Sequence, residues 1–176
     1  AMPGPVAGAA ATVLGTSLAA GMRSRRSMVE RHLTRVDPSL TGMALRRAVQ
    51  DAFDSYTRYY IESFRLPTLS TRTVARGFRT DGYDPHILQG LERGKGVILA
   101  LPHLGGWEWA GRWMTDQGHK LTVVVEALEP PELFEWFVEL RQKLGMNVVP
   151  LGPDAGSTVL KALRDNEVVC LLCDRD

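Results

Sequence analysis

One histidine stands in a sequence context that suits proton transfer. His103 follows a short apolar run and precedes Gly105 and Gly106, and Glu108 lies five residues after it. The glycine pair lets the backbone turn sharply into a helix whose first turn holds Glu108. A carboxylate there can bond one imidazole nitrogen, fix the tautomer and leave the other nitrogen as a general base. The free N–H groups at the helix start could also stabilise a developing oxyanion.

The same spacing occurs a second time, at His32 and Asp37, and context separates the two pairs. His32 lies in an Arg-rich stretch with no strand before it and no glycine after it, which predicts a helix residue with Asp37 near a turn. A structural histidine remains the alternative for His103. The two other histidines have no acid five residues later and are predicted to be surface positions; they are His86 and His119.

The elements that would position His103 form an alternating pattern. The predicted strands are 97–101, 121–125, 147–149 and 168–172, and the helices between them are 107–116, 131–144 and 157–164. The uninterrupted apolar run 97–101 favours a buried parallel strand. Strand–helix repetition with short connections predicts an α/β fold with a mostly parallel central sheet flanked by helices. Ligands bind at the carboxyl ends of such strands, which points to His103, Glu126 and Asp174.

The part of the chain before residue 97 has a different pattern. Apolar residues recur at helical spacing over 45–64, and Pro67 ends this predicted helix. Residues 85–92 predict a second helix, and 78–80 predict a short strand. No segment is apolar enough for a transmembrane helix. Residues 1–28 are predicted to be an interfacial or disordered segment, in which the basic cluster 23–26 suits contact with anionic lipid.

Charge is distributed unevenly along the chain. Residues 1–95 hold 14 Lys and Arg against 8 Asp and Glu, and residues 96–176 hold 7 against 12. A basic first half indicates a face turned toward an anionic partner, either a phospholipid surface or nucleic acid. The alternative is that the arginines only solvate helices.

The two cysteines, Cys170 and Cys173, lie in and just after an apolar run. Side chains three residues apart in a strand point to opposite faces, so the two sulfurs would not meet. No second Cys or His pair is present in the sequence to complete a zinc site. We therefore predict buried core cysteines in a reducing compartment, rather than a redox pair or a metal site.

Several blocks of the sequence carry a resemblance to a known family. Residues 96–108 resemble the H-x4-D/E signature of the lysophospholipid acyltransferase superfamily, and more closely the lipid A biosynthesis lauroyl/myristoyl acyltransferase family. Within that family the chain is most similar to the actinobacterial phosphatidylinositol mannoside acyltransferases. Blocks 55–67, 141–151 and 171–176 extend the resemblance, which runs from about residue 29 to the last residue. It implies that 29–176 form the N-terminal part of a single acyltransferase domain with a glycerolphosphate-acyltransferase-like fold.

The resemblance implies a reaction for the histidine. His103 would deprotonate a sugar or glycerol hydroxyl, which attacks the thioester of an acyl-CoA or acyl carrier protein. Either Glu108 or Asp174 would orient the imidazole and stabilise its protonated form. Close relatives often carry Glu where this chain has Asp174, and the shorter side chain would lengthen that contact. The identity of the orienting carboxylate therefore stays open.

Three further residues receive substrate-binding roles from the resemblance. Arg141 and Arg175 would neutralise phosphate or headgroup charge, and Glu126 would line the acceptor pocket. The alternative for Arg141 is a salt bridge within its own helix to Glu139 or Glu135. The alternative for Arg175 is a frayed, solvated position at the end of the chain.

The implied reaction needs no metal and no cofactor, because the acyl thioester is a substrate. The implied partners are this donor, a glycolipid acceptor and an anionic membrane surface, with no nucleic acid. The implied location is peripheral, on the cytoplasmic face of the plasma membrane. Because family members continue beyond the matching region, we expect residues 1–176 alone to expose apolar surface and to show little acyl transfer.

Two other classes of function remain as alternatives. Residues 174–176 form an Asp-x-Asp that could hold a divalent metal in a glycosyltransferase. A non-catalytic lipid- or partner-binding domain could keep the fold, with Trp107, Trp109 and Trp113 as its binding face. Trp109 and Trp113, four apart on one helix, more often serve in core or interface packing.

Overall fold

The computed structural model describes residues 12–17 and 21–174. The chain divides into two compact units, residues 1–65 and 66–176. The predicted segment 1–28 lies partly outside the described residues; within it, 12–17 are helical and Arg23 opens the next helix. In the part that the structure describes, no helix is both long enough and apolar enough to cross a membrane.

Two helices make up most of the first unit. Helix α1 spans Arg23–Val36 and α2 spans Gly42–Arg65, which confirms the predicted helix 45–64. Val49 and Phe53 of α2 are buried and pack against partly buried apolar side chains, which are Val29, Leu33 and Leu45. Apolar residues at helical spacing on both helices thus give this unit its own small core.

The second unit begins with short helical elements. A 3-10 helix spans Leu66–Thr68, α3 spans Thr71–Arg76, and a π-helix over Tyr83–Leu88 runs into α4 at Gln89–Glu92. The helix predicted over 85–92 is confirmed. The strand predicted over 78–80 is wrong, because these residues pair with no strand and the Phe78 ring packs 5.1 Å from the Trp113 ring.

The rest of the second unit alternates strands and helices as predicted. The elements are β1 Val97–Leu101, α5 Trp107–Asp116, β2 Leu121–Val125, α6 Pro131–Lys143, β3 Met146–Pro150, α7 Ala155–Arg164 and β4 Val168–Leu172. The four strands form one parallel sheet in the order β1-β4-β2-β3. The predicted α/β class with a parallel sheet flanked by helices is therefore confirmed.

The prediction that β1 is buried is wrong. Its side chains alternate between half-buried and exposed, and Ile98 is 51% exposed. Within the described sheet β1 pairs with β4 alone, whereas β4 lies between β1 and β2. An edge strand has one neighbour, so a continuous apolar run does not by itself give burial.

The cysteine prediction holds for one of the two residues. Cys170 is buried in the middle of β4, and burial raises the pKa of its thiol to about 11. Cys173 follows β4 and is exposed, so for this residue the prediction is wrong. Both thiols are free. Cys173 lies just past the last residue of β4, Leu172.

Candidate active site

Two loops meet at the carboxyl end of the sheet. Strands β1 and β4 pair in register, with Leu101 opposite Leu172, so the residues that follow each strand come together. The N–H of Cys173 donates to the carbonyl of Leu101 at 3.0 Å and extends the ladder by one residue. This pairing brings His103, two residues past β1, next to Asp174, which is 71 residues away in the sequence.

Asp174 binds His103 through both of its carboxylate oxygens. Oδ1 lies 2.6 Å from the imidazole Nδ1, and Oδ2 accepts the backbone N–H of His103 at 2.9 Å. These two bonds, the backbone one first, lower the pKa of the Asp174 carboxyl. The carboxylate therefore selects the tautomer with hydrogen on Nδ1, which leaves the Nε2 lone pair available to accept a proton.

The site is open to solvent at this pair. The side chains of His103 and Asp174 are 42% and 38% exposed. The loop between β1 and α5 turns through Gly105, whose φ of +60° lies in the left-handed region that glycine adopts without strain. Helix α5 then begins after Gly106, with no side chain capping its first turn. Its first N–H groups lie close to the histidine in sequence and are polar donors of the kind that stabilise an oxyanion.

Glu108 occupies a different environment. It lies in the first turn of α5, is 1% exposed, and its Oε1 lies 3.1 Å from Nη2 of Arg141 on α6. The imidazole of His103 is instead hydrogen-bonded to Asp174. Of the two carboxylates that the sequence left open, the structure thus places Asp174 on the imidazole and Glu108 on a buried arginine.

Two aromatic rings lie against the guanidinium group of Arg141. Its guanidinium carbon lies 4.7 Å from the centre of the Trp107 ring and 4.9 Å from that of Phe137. The residue is 8% exposed. The alternative salt bridge to Glu139 or Glu135 is wrong, because Arg141 forms its ion pair with Glu108, and Glu139 pairs with Lys143 at 3.3 Å. Cation–π contact and a carboxylate partner together explain how this charge is tolerated inside the unit.

Of the two remaining predicted site residues, the structure describes Glu126 but not Arg175. Glu126 directly follows β2 and is exposed, at the same edge of the sheet as Asp174. Arg175 and Asp176 lie outside the described residues. Of the two aspartates in the Asp-x-Asp alternative, the structure therefore describes only Asp174, which is hydrogen-bonded to His103. Among the described residues, no group of three or more His, Cys, Asp or Glu side chains is arranged to hold a metal ion.

The second His-x4-Asp spacing forms no pair. His32 is an exposed residue of α1. The Asp37 carboxylate accepts the backbone N–H of Ser39 at 3.0 Å and its hydroxyl at 2.6 Å. These bonds lower the pKa of Asp37. The prediction that His32 is a helix residue and that Asp37 lies near a turn is confirmed.

The three tryptophans of α5 pack within their own unit. Trp107 contacts Arg141, Trp109 donates its indole N–H to the Val74 carbonyl at 3.1 Å, and Trp113 stacks edge-on against Tyr83. All three are buried or half-buried. The packing role that the sequence favoured for Trp109 and Trp113 is therefore the one seen, and the three tryptophans offer no common exposed binding face.

Sequence reasoning missed one polar contact of a histidine. His119, predicted to be a surface position, is half-buried, and its Nε2 lies 2.5 Å from the hydroxyl of Tyr83. Burial lowers the pKa of His119 and raises that of Tyr83. Tyr83 lies 36 positions upstream of His119, so the local sequence gave no signal of this contact.

Comparison with known proteins identifies the family to which the chain belongs. The sequence profile of a family described as bacterial lipid A biosynthesis acyltransferase matches residues 1–176. A phosphatidylinositol mannoside acyltransferase of Mycobacterium tuberculosis (strain H37Rv) is 42% identical over 129 residues, which cover 71% of this chain and 41% of the relative. That of Mycolicibacterium smegmatis is 37% identical over 131 residues, which cover 73% of this chain and 43% of the relative. The matched region thus spans less than half the length of these relatives, and the chain belongs to the bacterial lipid A biosynthesis acyltransferase family.

Proposed function

We propose that the protein is an O-acyltransferase that moves a fatty acyl group from acyl-CoA or acyl carrier protein to a hydroxyl of a glycolipid, such as a phosphatidylinositol mannoside. The names of the relatives support the reaction class and the acceptor. The observation that carries the proposal is the two-point contact of Asp174 with His103 at the carboxyl end of a parallel sheet. Open α/β sheets bind their ligands at this end of the strands.

The proposed mechanism begins with neutral His103. Its Nδ1–H donates to Asp174, and its Nε2 takes the proton from the acceptor hydroxyl as the hydroxyl oxygen attacks the thioester carbonyl. The tetrahedral intermediate then expels the thiolate, the C–S bond breaks, and the thiolate receives the proton from the imidazolium. The Asp174 carboxylate stabilises the imidazolium between these steps, and the first N–H groups of α5 would stabilise the oxyanion.

We assign Glu108 a positioning role through Arg141. Their ion pair joins the first turn of α5 to the last turn of α6. Helix α5 directly follows the loop that carries His103. A fixed helix start holds that loop, and small displacements of a base cost rate. Headgroup binding by Arg141 would require this buried pair to open, so we propose Arg175 for headgroup charge and Glu126 for the acceptor pocket.

We further propose that the protein works as a peripheral protein on the cytoplasmic face of the plasma membrane. Helix α1 carries five arginines and one glutamate, and all five arginines lie on exposed or half-exposed positions. Such a helix is attracted to anionic lipid. The proposal needs no metal, no cofactor and no nucleic acid.

The decisive experiment measures thioester release from acyl-CoA and from acyl carrier protein, with and without a panel of glycolipid acceptors. Because the matched region spans 41–43% of the relatives, the assay uses both residues 1–176 and a chimera in which they replace the matching region of the Mycolicibacterium smegmatis relative. His103→Ala should lower the rate about 10²–10⁴-fold, and His32→Ala should leave it within a few fold. Equal effects would contradict the assignment. Hydrolysis of a sugar nucleotide without thioester release would favour the glycosyltransferase alternative.

A further inference from the structure

Helices α1 and α2 pack against each other through the small core of the first unit. Near the turn that joins them, Val49 is fully buried against Leu33 and Leu45. One turn further along α2, a groove opens between the helices. Its buried and half-buried lining is apolar and consists of Met28, Val29, Ala52 and Phe53. Ala52 lies three residues after Val49, and its small side chain leaves space that a larger residue would fill.

The exposed rim of the groove is amphipathic. Met22, Arg25 and Tyr56 line it and are all exposed. Arg26, beside Arg25 in sequence, pairs with Glu30 at 3.3 Å. Among the described residues that line the groove, Arg25 is the only charged one, and no carboxylate is present to neutralise it. The rim therefore combines apolar and aromatic surface with a cation, the make-up of surfaces that lie in the headgroup region of a membrane.

We propose that this groove binds one acyl chain of an anionic phospholipid, with the lipid phosphate against Arg25. Along α1 the groove runs from Met22 to Val29, about 10 Å at 1.5 Å per residue. Methionine side chains adapt to flexible ligands, which suits a lipid chain of variable length. The inference deepens the membrane association proposed above and rests on it only for the source of the lipid. It is independent of acyl transfer.

The test titrates the protein with dihexanoylphosphatidylglycerol below its critical micelle concentration, by isothermal titration calorimetry. Ala52→Phe fills the groove and should weaken binding at least tenfold, whereas Ala44→Phe, on an exposed position of the same helix, should not. Arg25→Gln should weaken binding about fivefold, as expected for one basic residue near an anionic headgroup. Arg31→Gln makes the same charge change on α1 outside the groove and should have little effect.

Three results would overturn the proposal that the groove binds an anionic phospholipid. They are equal affinity of the Ala52→Phe and Ala44→Phe variants for the lipid, equal affinity of the protein for a phosphatidylcholine of the same chain length, or no saturable binding of monomeric lipid. Circular dichroism melts check that each variant is folded. Ala52→Leu repeats the test if the larger substitution unfolds the unit. A variant that no longer binds monomeric lipid should still co-sediment with vesicles in a salt-dependent manner. This result would distinguish lipid binding in the groove from the general membrane association of the protein.

Discussion

The carboxylate of Asp174 holds His103 at two points, one on the imidazole Nδ1 at 2.6 Å and one on the backbone N–H at 2.9 Å. The side-chain contact fixes the tautomer, and the backbone contact fixes the position of the loop that carries the ring. Asp174 thus bonds the proposed base directly, whereas Glu108 acts on it only through the start of α5. The shorter side chain of aspartate does not lengthen the contact, because the register of β1 and β4 brings the two residues side by side.

We predict that Asp174→Asn lowers kcat/KM by about 10²–10⁴-fold, because the amide cannot stabilise the imidazolium and can favour the wrong tautomer. The melting temperature should change little, since both side chains are substantially exposed. Steady-state kinetics of thioester release, alongside thermal melts, measure the two quantities. A variant that retains full rate would remove Asp174 from the mechanism.

The buried pair of Glu108 and Arg141 should matter first for stability. Arg141→Met leaves the Glu108 carboxylate buried without its cation, a change that typically costs about 3–5 kcal/mol. Glu108→Gln together with Arg141→Met removes both charges and should recover part of this loss. Urea unfolding measures the free energies.

The neighbouring pair provides a matched control for that experiment. Lys143→Met breaks a pair with Glu139 in which both side chains are 65% exposed, and it should change the free energy of unfolding by no more than about 1 kcal/mol. Equal destabilisation by the Lys143 and Arg141 variants would show that Arg141 is not held as the structure describes.

The strands and helices of the second unit could be predicted because each strand is a short apolar run beside a glycine, proline or polar turn. The neighbours of each strand could not. Five apolar residues in β1 look the same whether the strand is central or at the edge, and the sheet order places it at the edge. The partner of His103 was undecided for the same reason. Glu108 is close in sequence, but the long-range register of β1 with β4 brings Asp174 to the imidazole.

His119 gives a pH prediction. Burial lowers the pKa of its imidazole below the ordinary 6.5, so the unfolded chain takes up a proton more readily than the folded one. This contribution to stability is present above about pH 6.5 and is lost as the pH falls from there through the folded-state pKa. We expect the free energy of unfolding to decline over this range.

His119→Gln should flatten that decline, and His32→Gln, at an exposed position of α1, should leave it unchanged. Denaturant titrations at a series of pH values between about 5 and 8 provide the comparison. A decline of the same slope in the His119 variant would assign it to other groups.

The two thiols should differ in reactivity. Cys173 is exposed, whereas Cys170 is buried with a pKa raised to about 11, so its thiolate is scarce at neutral pH. We expect one thiol to react with a disulfide reagent in the native protein and two in denaturant. The reacting thiol should vanish in Cys173→Ser. Since Cys173 adjoins Asp174, a bulky adduct there should also slow acyl transfer, and rapid labelling of both thiols in the native protein would contradict the buried position of Cys170.

Membrane association should depend on the arginines at the start of α1 and on salt. Each basic residue near an anionic surface contributes about 1 kcal/mol, and salt screens the attraction over a Debye length of about 10 Å at 0.1 M. Replacing Arg23, Arg25 and Arg26 by Gln should therefore reduce binding to phosphatidylglycerol vesicles by up to about two orders of magnitude. The loss should fall short of three full contributions because Arg26 also pairs with Glu30. Replacing Arg46, Arg47 and Arg58 of α2, which are all exposed, makes the same charge change elsewhere in the unit. Co-sedimentation that is equal in the two triple variants, or equal at low and high salt, would show that α1 is not the electrostatic contact.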